Sequence, residues 1–259
     1  MRSVIVSVIM ALLFCSSGFG AGEWILDGKA KCKVWNIDPR PNETVSWSGA
    51  CVDGYASGTG TNTWYQDGKE VERYEGVMFK GRPHGKGSVT WANGARYEGD
   101  FVYGKPHGRG TYAWANGGRY DGGFTDGERA GKGTFRFANG DVYEGDFVND
   151  RRTGKGTYTW ANGNRYSGDF IDNKLHGKGT FRFANGDVYE GDFVNDRRTG
   201  SGTYTWINGS RYTGDFVNGR RTGDGTFTCR NGRQFSGTFK NGKPVGFTVD
   251  CDPVGEQSL

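Results

Sequence analysis

Five cysteines, three histidines and a recurring set of carboxylates are the groups in this 259-residue chain that could do chemistry. Cys15 lies in an apolar N-terminal stretch, while Cys32, Cys51, Cys229 and Cys251 could form bridges or hold zinc. No pair has metal-finger spacing and the histidines lie elsewhere, so two disulfides are the better reading. Four cysteines allow three pairings. Cys32 and Cys251 fall in the non-repeating ends and Cys51 and Cys229 just inside the repeating part, so Cys32 with Cys51 and Cys229 with Cys251 would each pin one end. His84, His107 and His176 recur at one position and could line up as a metal or proton-transfer row. Ala130, Thr153, Thr199 and Thr222 hold the same place elsewhere, so exposed turn residues are the simpler account. Glu144, Asp146, Glu190 and Asp192 would need a pocket to act as a glycosidase pair, and a row alternating with arginines reads instead as cross-strand charge. Gly131-Lys-Gly-Thr134 has part of a phosphate-loop sequence but opens a strand, with no helix behind it. No Ser-His-Asp set stands out, so neither an enzyme nor a bound cofactor is expected.

What must position these groups is a unit of 23 residues, clearest as YEGDFVYGKPHGRGTYAWANGGR from Tyr97 to Arg119. Full copies start at Tyr74, Tyr97, Tyr120, Tyr143, Tyr166, Tyr189 and Tyr212, and a truncated one starts at Phe235. In a looser copy ahead of them, Trp47-Ser-Gly-Ala-Cys51 replaces Tyr-x-Gly-x-Phe. Residues 131–154 and 177–200 are identical, an offset of 46 that marks a duplication of two units. A fixed short period means a linear array in which each unit buries its apolar side on its neighbours. The 47 glycines are far above the roughly 7% usual in globular chains, yet the strict period and 15% aromatics argue against disorder. Net charge is +4 with both signs interleaved in every unit, which does not fit a nucleic-acid binder.

Tyr-x-Gly-x-Phe and Gly-x-Gly-x-Tyr-x-Trp both alternate with period two, so each unit should hold two strands. Tyr158 and Trp160 must share a face with Tyr166, which requires an odd connection, and Ala161-Asn162-Gly163 fits as a three-residue loop closed by glycine. The other connection, from Phe101 to Gly110, needs an even count, met by a four-residue tip at Gly104-Lys-Pro-His107. One face would carry Tyr97, Phe101, Tyr112 and Trp114, with Gly99 and Gly110 leaving room for rings from neighbouring hairpins. With no helix to cover it, that face must curl on itself, pair with a second copy as a homodimer, or hold a ligand. About eighteen strands at about 4.8 Å give a ribbon on the order of 85 Å long, with edges that the cysteine-bearing ends would cap.

The consensus Tyr-Glu-Gly-Asp-Phe-x-Asn/Tyr-Gly-x-x-x-Gly-x-Gly-Thr-Tyr-x-Trp-x-Asn-Gly resembles the MORN repeat, the membrane occupation and recognition nexus motif. The resemblance covers Tyr74 to Gly242 closely and Trp47 to Arg73 loosely. It departs at Phe137 and Phe183 (for Trp), Met78 (for Phe), and Asp150, Asn173 and Asp196 (for the tip glycine). It implies an all-β, elongated and twisted ribbon of antiparallel hairpins, about eight to nine repeats, used in the family mainly as a scaffold or adaptor, sometimes with lipid head-group contacts or dimerisation. Kinase or methyltransferase domains accompany the repeats in some members, and the 46 residues before Trp47 and 17 after Gly242 leave no room for one.

The expected layout is a signal peptide at 1–20, an N-terminal cap at 21–46, a degenerate repeat at 47–73, seven repeats at 74–234, and a truncated repeat with a C-terminal cap at 235–259. Arg2, the apolar run from Val4 to Phe14 and the small residues Gly18 and Gly20 carry the signal-peptide reading, hence a secreted or periplasmic product. Lipidation at Cys15 is the rival, disfavoured by the bulky Phe14 before it. The leading functional expectation is a non-catalytic extracytoplasmic scaffold for partner proteins. The alternative is a module for polysaccharide or anionic lipid head groups, using basic hairpin tips or an aromatic face of Tyr97, Tyr112, Trp114, Tyr143, Tyr158, Trp160, Tyr189, Tyr204 and Trp206.

Overall fold

In a computed structural model, residues 22–251 are described; the expected signal peptide and the last residues of the C-terminal cap lie outside them. The described residues form 21 strands and no helix. The N-terminal part holds β1 (Glu23–Leu26), β2 (Lys33–Asn36), β3 (Glu43–Trp47) and β4 (Ala50–Val52). The chain then runs up and down through β5 (Tyr55–Gln66), β6 (Lys69–Phe79), β7 (Arg82–Trp91), β8 (Arg96–Val102), β9 (Lys105–Ala113), β10 (Arg119–Thr125) and β11 (Glu128–Arg136). It continues through β12 (Val142–Val148), β13 (Arg151–Thr159), β14 (Arg165–Ile171), β15 (Lys174–Arg182) and β16 (Val188–Val194). β17 (Arg197–Thr205), β18 (Arg211–Val217), β19 (Arg220–Thr228), β20 (Gln234–Lys240) and β21 (Lys243–Pro244) complete it. From β5 onward each strand pairs antiparallel with the next, so contacts are local along the ribbon, as a repeat array requires.

The base loops follow the parity argument. Tyr158 pairs with Tyr166, the Trp160 N–H donates to the Asn164 carbonyl at 2.9 Å, and the Gly163 N–H donates to the Trp160 carbonyl at 3.0 Å. This leaves a three-residue loop in which Gly163 takes φ +91° and Asn162 Oδ1 accepts the Asn164 N–H at 3.0 Å, the reason asparagine recurs there.

The tips differ from the expected four-residue turn at Gly104 to His107. The turn is Tyr103-Gly104, both with positive φ (47° and 89°), the geometry whose twist matches paired strands. Gly99 pairs with Gly110 but Asp100 with His107, so Gly108 and Arg109 form a two-residue bulge inside β9. The even count survives because two turn residues plus two bulged residues replace a four-residue tip. The bulge bends the hairpin and carries the histidine into the strand. His84, His107 and His176 are accordingly half-buried strand residues.

Tips also bond to one another. The second turn residue of each hairpin donates its N–H to a carbonyl one repeat back: Gly127 to Pro106 at 2.9 Å, Asp196 to Leu175 at 3.1 Å, Gly219 to Arg198 at 2.9 Å. Asp150, Asn173 and Asp196, which depart from the consensus glycine, add a side-chain link, each Oδ1 accepting the N–H of Arg129, Arg152 or Leu175 at 2.9, 2.9 and 2.8 Å.

Both ends are tied. Cys32 is bonded to Cys51 with Cα atoms 5.6 Å apart, and Cys229 to Cys251 with Cα atoms 5.8 Å apart. At the N-terminal end β2 bridges β5 in parallel at Lys33 and Tyr55. Trp47 covers Gly49 and Gly60, whose added Cβ atoms would come 2.3 and 2.6 Å from its ring, the place taken by tyrosine in the seven full repeats. At the other end Phe247 packs edge-on against Phe239 at 5.6 Å, and the Val245 N–H donates to the Thr238 carbonyl at 2.9 Å, covering part of the last strand.

Candidate binding surfaces

Each full repeat begins with a tyrosine whose ring lies over two glycines. For Tyr143 these are Gly145 on its own strand and Gly156 on the paired one; a Cβ at Gly156 would sit 2.6 Å from the ring and at Gly145 2.5 Å from the hydroxyl. The covering ring therefore comes from the same hairpin, correcting the expectation of a ring from a neighbour. Its hydroxyl donates to the Asp146 carbonyl at 3.0 Å. The neighbours contribute phenylalanines: Tyr143 meets Phe147 of its own repeat edge-on at 5.2 Å and Phe170 of the next at 5.1 Å. The pattern repeats at Tyr97, Tyr120, Tyr166, Tyr189 and Tyr212 and zips the repeats together.

A second row runs beside it. Tyr112, Trp114, Phe135, Phe137, Tyr158, Trp160, Phe181, Phe183, Tyr204, Trp206 and Phe227 stand ring against ring with centroids 4.3 to 5.7 Å apart. Of the nine aromatics expected on a binding face, Tyr97, Tyr143, Tyr189 and Tyr204 are 0% exposed, and Tyr158 and Trp206 are buried too. Tyr112, Trp114 and Trp160 are half-buried. These rows are core, and their rings are already stacked on one another.

Between the rows lies a feature the sequence reading missed. Arg129, Arg152, Arg198 and Arg221 occupy one repeat position and reach in among the rings. Arg198 is 1% exposed, its guanidinium 5.4 Å from the Tyr189 ring centre, 5.3 Å from Tyr204 and 5.7 Å from Phe216, and it donates to the Gly219 carbonyl at 2.9 Å. The signal for it was period two: in Asp-Arg-Arg-Thr consecutive arginines must face opposite ways, so one points inward. Asp141 and Asp187 lie buried at the base. Asp187 accepts the Tyr204 hydroxyl at 2.6 Å, the Ile207 N–H at 2.9 Å and the Asn185 amide at 3.0 Å, and Asp141 is held likewise by Tyr158, Ala161 and Asn139. In other repeats the arginine position holds Pro83, Pro106 or Leu175, so an apolar side chain fits the slot. Arg198→Leu is expected to change stability by about 1 kcal/mol or less, whereas Arg198→Ala, which empties the slot, should cost about 3 kcal/mol. Urea unfolding of the two variants checks this.

The opposite face is polar and open. A groove of about 1260 Å³ runs over β9 to β16, lined by Lys132, Glu144, Lys155, Arg165, Lys178 and Glu190 among others. Lys86, Lys132, Lys155 and Lys178 pair with Asp100, Asp146, Asp169 and Asp192 at 2.6 to 2.9 Å. Asp146 and Asp192 are thus half of a solvated charge ladder, each pair worth about 1 kcal/mol or less. Among the described residues no three His, Cys, Asp or Glu side chains converge as a metal site.

The model of the MORN repeat matches residues 74–96, 97–119, 120–142, 143–165, 166–188, 189–211, 212–232 and 235–247, well over half of the chain. The chain belongs to the MORN repeat family. Its MORN units begin at the tyrosines that cover the glycine pairs, from Tyr74 to Tyr212. Among solved structures the chain is similar to the TCP domain of SAS-4 (dCPAP) of Drosophila Melanogaster, in complex with a proline rich motif of Ana2 (dSTIL), at 14% identity and a TM-score of 0.39, covering 60% of this chain and 85% of that one. It is also similar to selenomethionine-substituted virginiamycin B lyase from Staphylococcus aureus at 10% identity and a TM-score of 0.16, covering 76% and 74%. Neither likeness carries an argument about fold or function. Comparison with curated proteins finds no match.

Proposed function

We propose that this MORN ribbon is a non-catalytic extracytoplasmic scaffold that binds partner proteins along its polar groove. The observation that carries the reading is the division of the two faces. The aromatic rows are used up in packing, with Tyr97, Tyr143 and Tyr189 at 0% exposure, while the groove side stays open over eight strands. An open surface of repeated charges and hydroxyls offers the hydrogen-bonding groups that protein interfaces use. The bonds Cys32–Cys51 and Cys229–Cys251 support an oxidising compartment. The test is capture of partners from the native envelope or culture medium on immobilised mature protein. A defined protein, recovered repeatedly and lost when groove lysines 132, 155 and 178 are changed to glutamate, is the expected result; repeated recovery of nothing would refute it.

A second reading, anionic lipid head groups at the tips, has one specific observation in its favour. Val148, Ile171, Val194 and Val217 are each about half exposed, opposite Arg151, Lys174, Arg197 and Arg220. Co-sedimentation with anionic vesicles, lost when these four residues become serine, would favour it over the scaffold.

A further inference from the structure

The base rim of the polar face sets like charges opposite each other, which among the described strand pairs is otherwise seen only at the last turn, where Lys240 faces Lys243. Arg119 stands directly opposite Arg136, and Arg165 directly opposite Arg182. Like charges facing each other across an antiparallel ladder oppose folding. All four are exposed, and among the described residues none has a carboxylate at ion-pair distance, although the same face satisfies its lysines with aspartates. The arrangement occurs twice, 46 residues apart. Between the two pairs the row holds Val142 opposite Thr159, so charge alternates with neutral spacers along the ribbon. Arg165 also lines the groove, and the next residues inward on that pair of strands are Ser167 and Thr180, two hydroxyls facing each other.

Resting on the scaffold reading, we propose that this arginine row docks an extended acidic segment of a partner protein, one carboxylate bridged by each arginine pair. Spacing supports a peptide. The pairs are four strands apart, about 19 Å at about 4.8 Å per strand, and an extended chain covers that in about six residues at about 3.3 Å each. Six is even, so side chains at i and i+6 of an extended segment point the same way and both reach the arginines. Guanidinium forks grip carboxylates through paired hydrogen bonds, which two opposed arginines supply from both sides. Nucleic acid is a poorer fit because, among the described residues, no aromatic ring lines the groove for base stacking. A bilayer is a poorer fit because Arg165 lines a groove, where a linear chain lies more closely than a plane.

The experiment uses fluorescence anisotropy with two labelled Gly/Ser peptides of equal charge, one with glutamates at i and i+6 and one with them at i and i+3. The full mature chain should bind the first at least tenfold more tightly. Arg165→Gln with Arg182→Gln should remove that preference, and the double change to glutamate should transfer it to the matching lysine peptide. Because the opposed charges oppose folding, the glutamine variant should also melt no lower than the parent, so lost binding is separable from lost fold. Equal binding of the two peptides, or binding unchanged in the glutamine variant, overturns the proposal. So does failure of the peptide alongside tight, arginine-dependent binding of a sulfated polysaccharide or of anionic vesicles. If the glutamine variant still captures the native partner, this inference fails while the scaffold reading stands. If the parent chain captures nothing, the scaffold reading fails on its own test.

Discussion

Tyr143→Ala is expected to cost about 3 to 5 kcal/mol and to split a single unfolding transition into two. Tyr143 is 0% exposed and fills the space over Gly145 and Gly156, against Phe147, Phe170 and the Arg152 guanidinium at 5.5 Å. Alanine leaves that volume empty, and the two glycines have no side chain to move into it. In an array stabilised only by neighbour contacts, a weak link in the middle separates the units on either side. Scanning calorimetry should therefore show a lower-melting and a higher-melting block. A control, Tyr143→Phe, keeps the ring and loses only the hydroxyl bond to Asp146, for about 1 kcal/mol. A single transition shifted by under 1 kcal/mol for the alanine variant would show that the zipper does not hold the repeats together.

The second large effect is alkaline. Burial in the aromatic rows pushes the Tyr74 and Tyr120 hydroxyls up to about 12, and drives Tyr97, Tyr143, Tyr166 and Tyr189 above the ordinary tyrosine range for the same reason. An unfolded tyrosine loses its proton near pH 10. A raised folded value means the native state binds the proton more tightly, so this stabilisation is complete below about pH 10 and lost as pH rises from about 10 to 12. Keeping the proton to about pH 12 instead of about 10 corresponds to about 3 kcal/mol at Tyr74 or Tyr120. Urea midpoints should be flat from neutral pH to about 9, then fall steeply, with tyrosinate absorbance rising together with loss of the strand signal. Tyrosines that ionise near pH 10 while the ribbon stays folded would contradict the packing.

Much of the ribbon was legible because its rules are local. Period two placed two strands in each repeat, and the parity of Tyr158, Trp160 and Tyr166 gave the Ala161-Asn162-Gly163 loop. The same parity left the tip underdetermined, since a four-residue turn and a two-residue turn with a two-residue bulge count alike. The positive φ of Tyr103 and Gly104 and the pairing of Asp100 with His107, both three-dimensional facts, separate them. The aromatic face was legible as a face but not as a closed one. Whether Tyr97, Tyr143 and Tyr189 stack on a ligand or on Phe124, Phe170 and Phe216 depends on how far the bulge bends each hairpin, which no residue type encodes alone. The inward arginines were hidden for another reason. Arginine usually stays in water, and only a slot walled by rings makes Arg152 and Arg198 core residues. With the rings engaged, the proposed recognition surface moves to the polar groove and the opposed arginines at its base, which composition had suggested was merely interleaved charge.

That the aromatic face closes within one chain is the claim on which this assignment rests, and small-angle scattering with in-line light scattering tests it most directly. The account predicts the mass of one chain in an elongated particle on the order of 80 Å long, from about sixteen successive strands at about 4.8 Å each. A thicker particle of twice that mass, with tryptophan emission that shifts on dilution to the monomer, would mean that two ribbons bury their aromatic rows against each other and would contradict it.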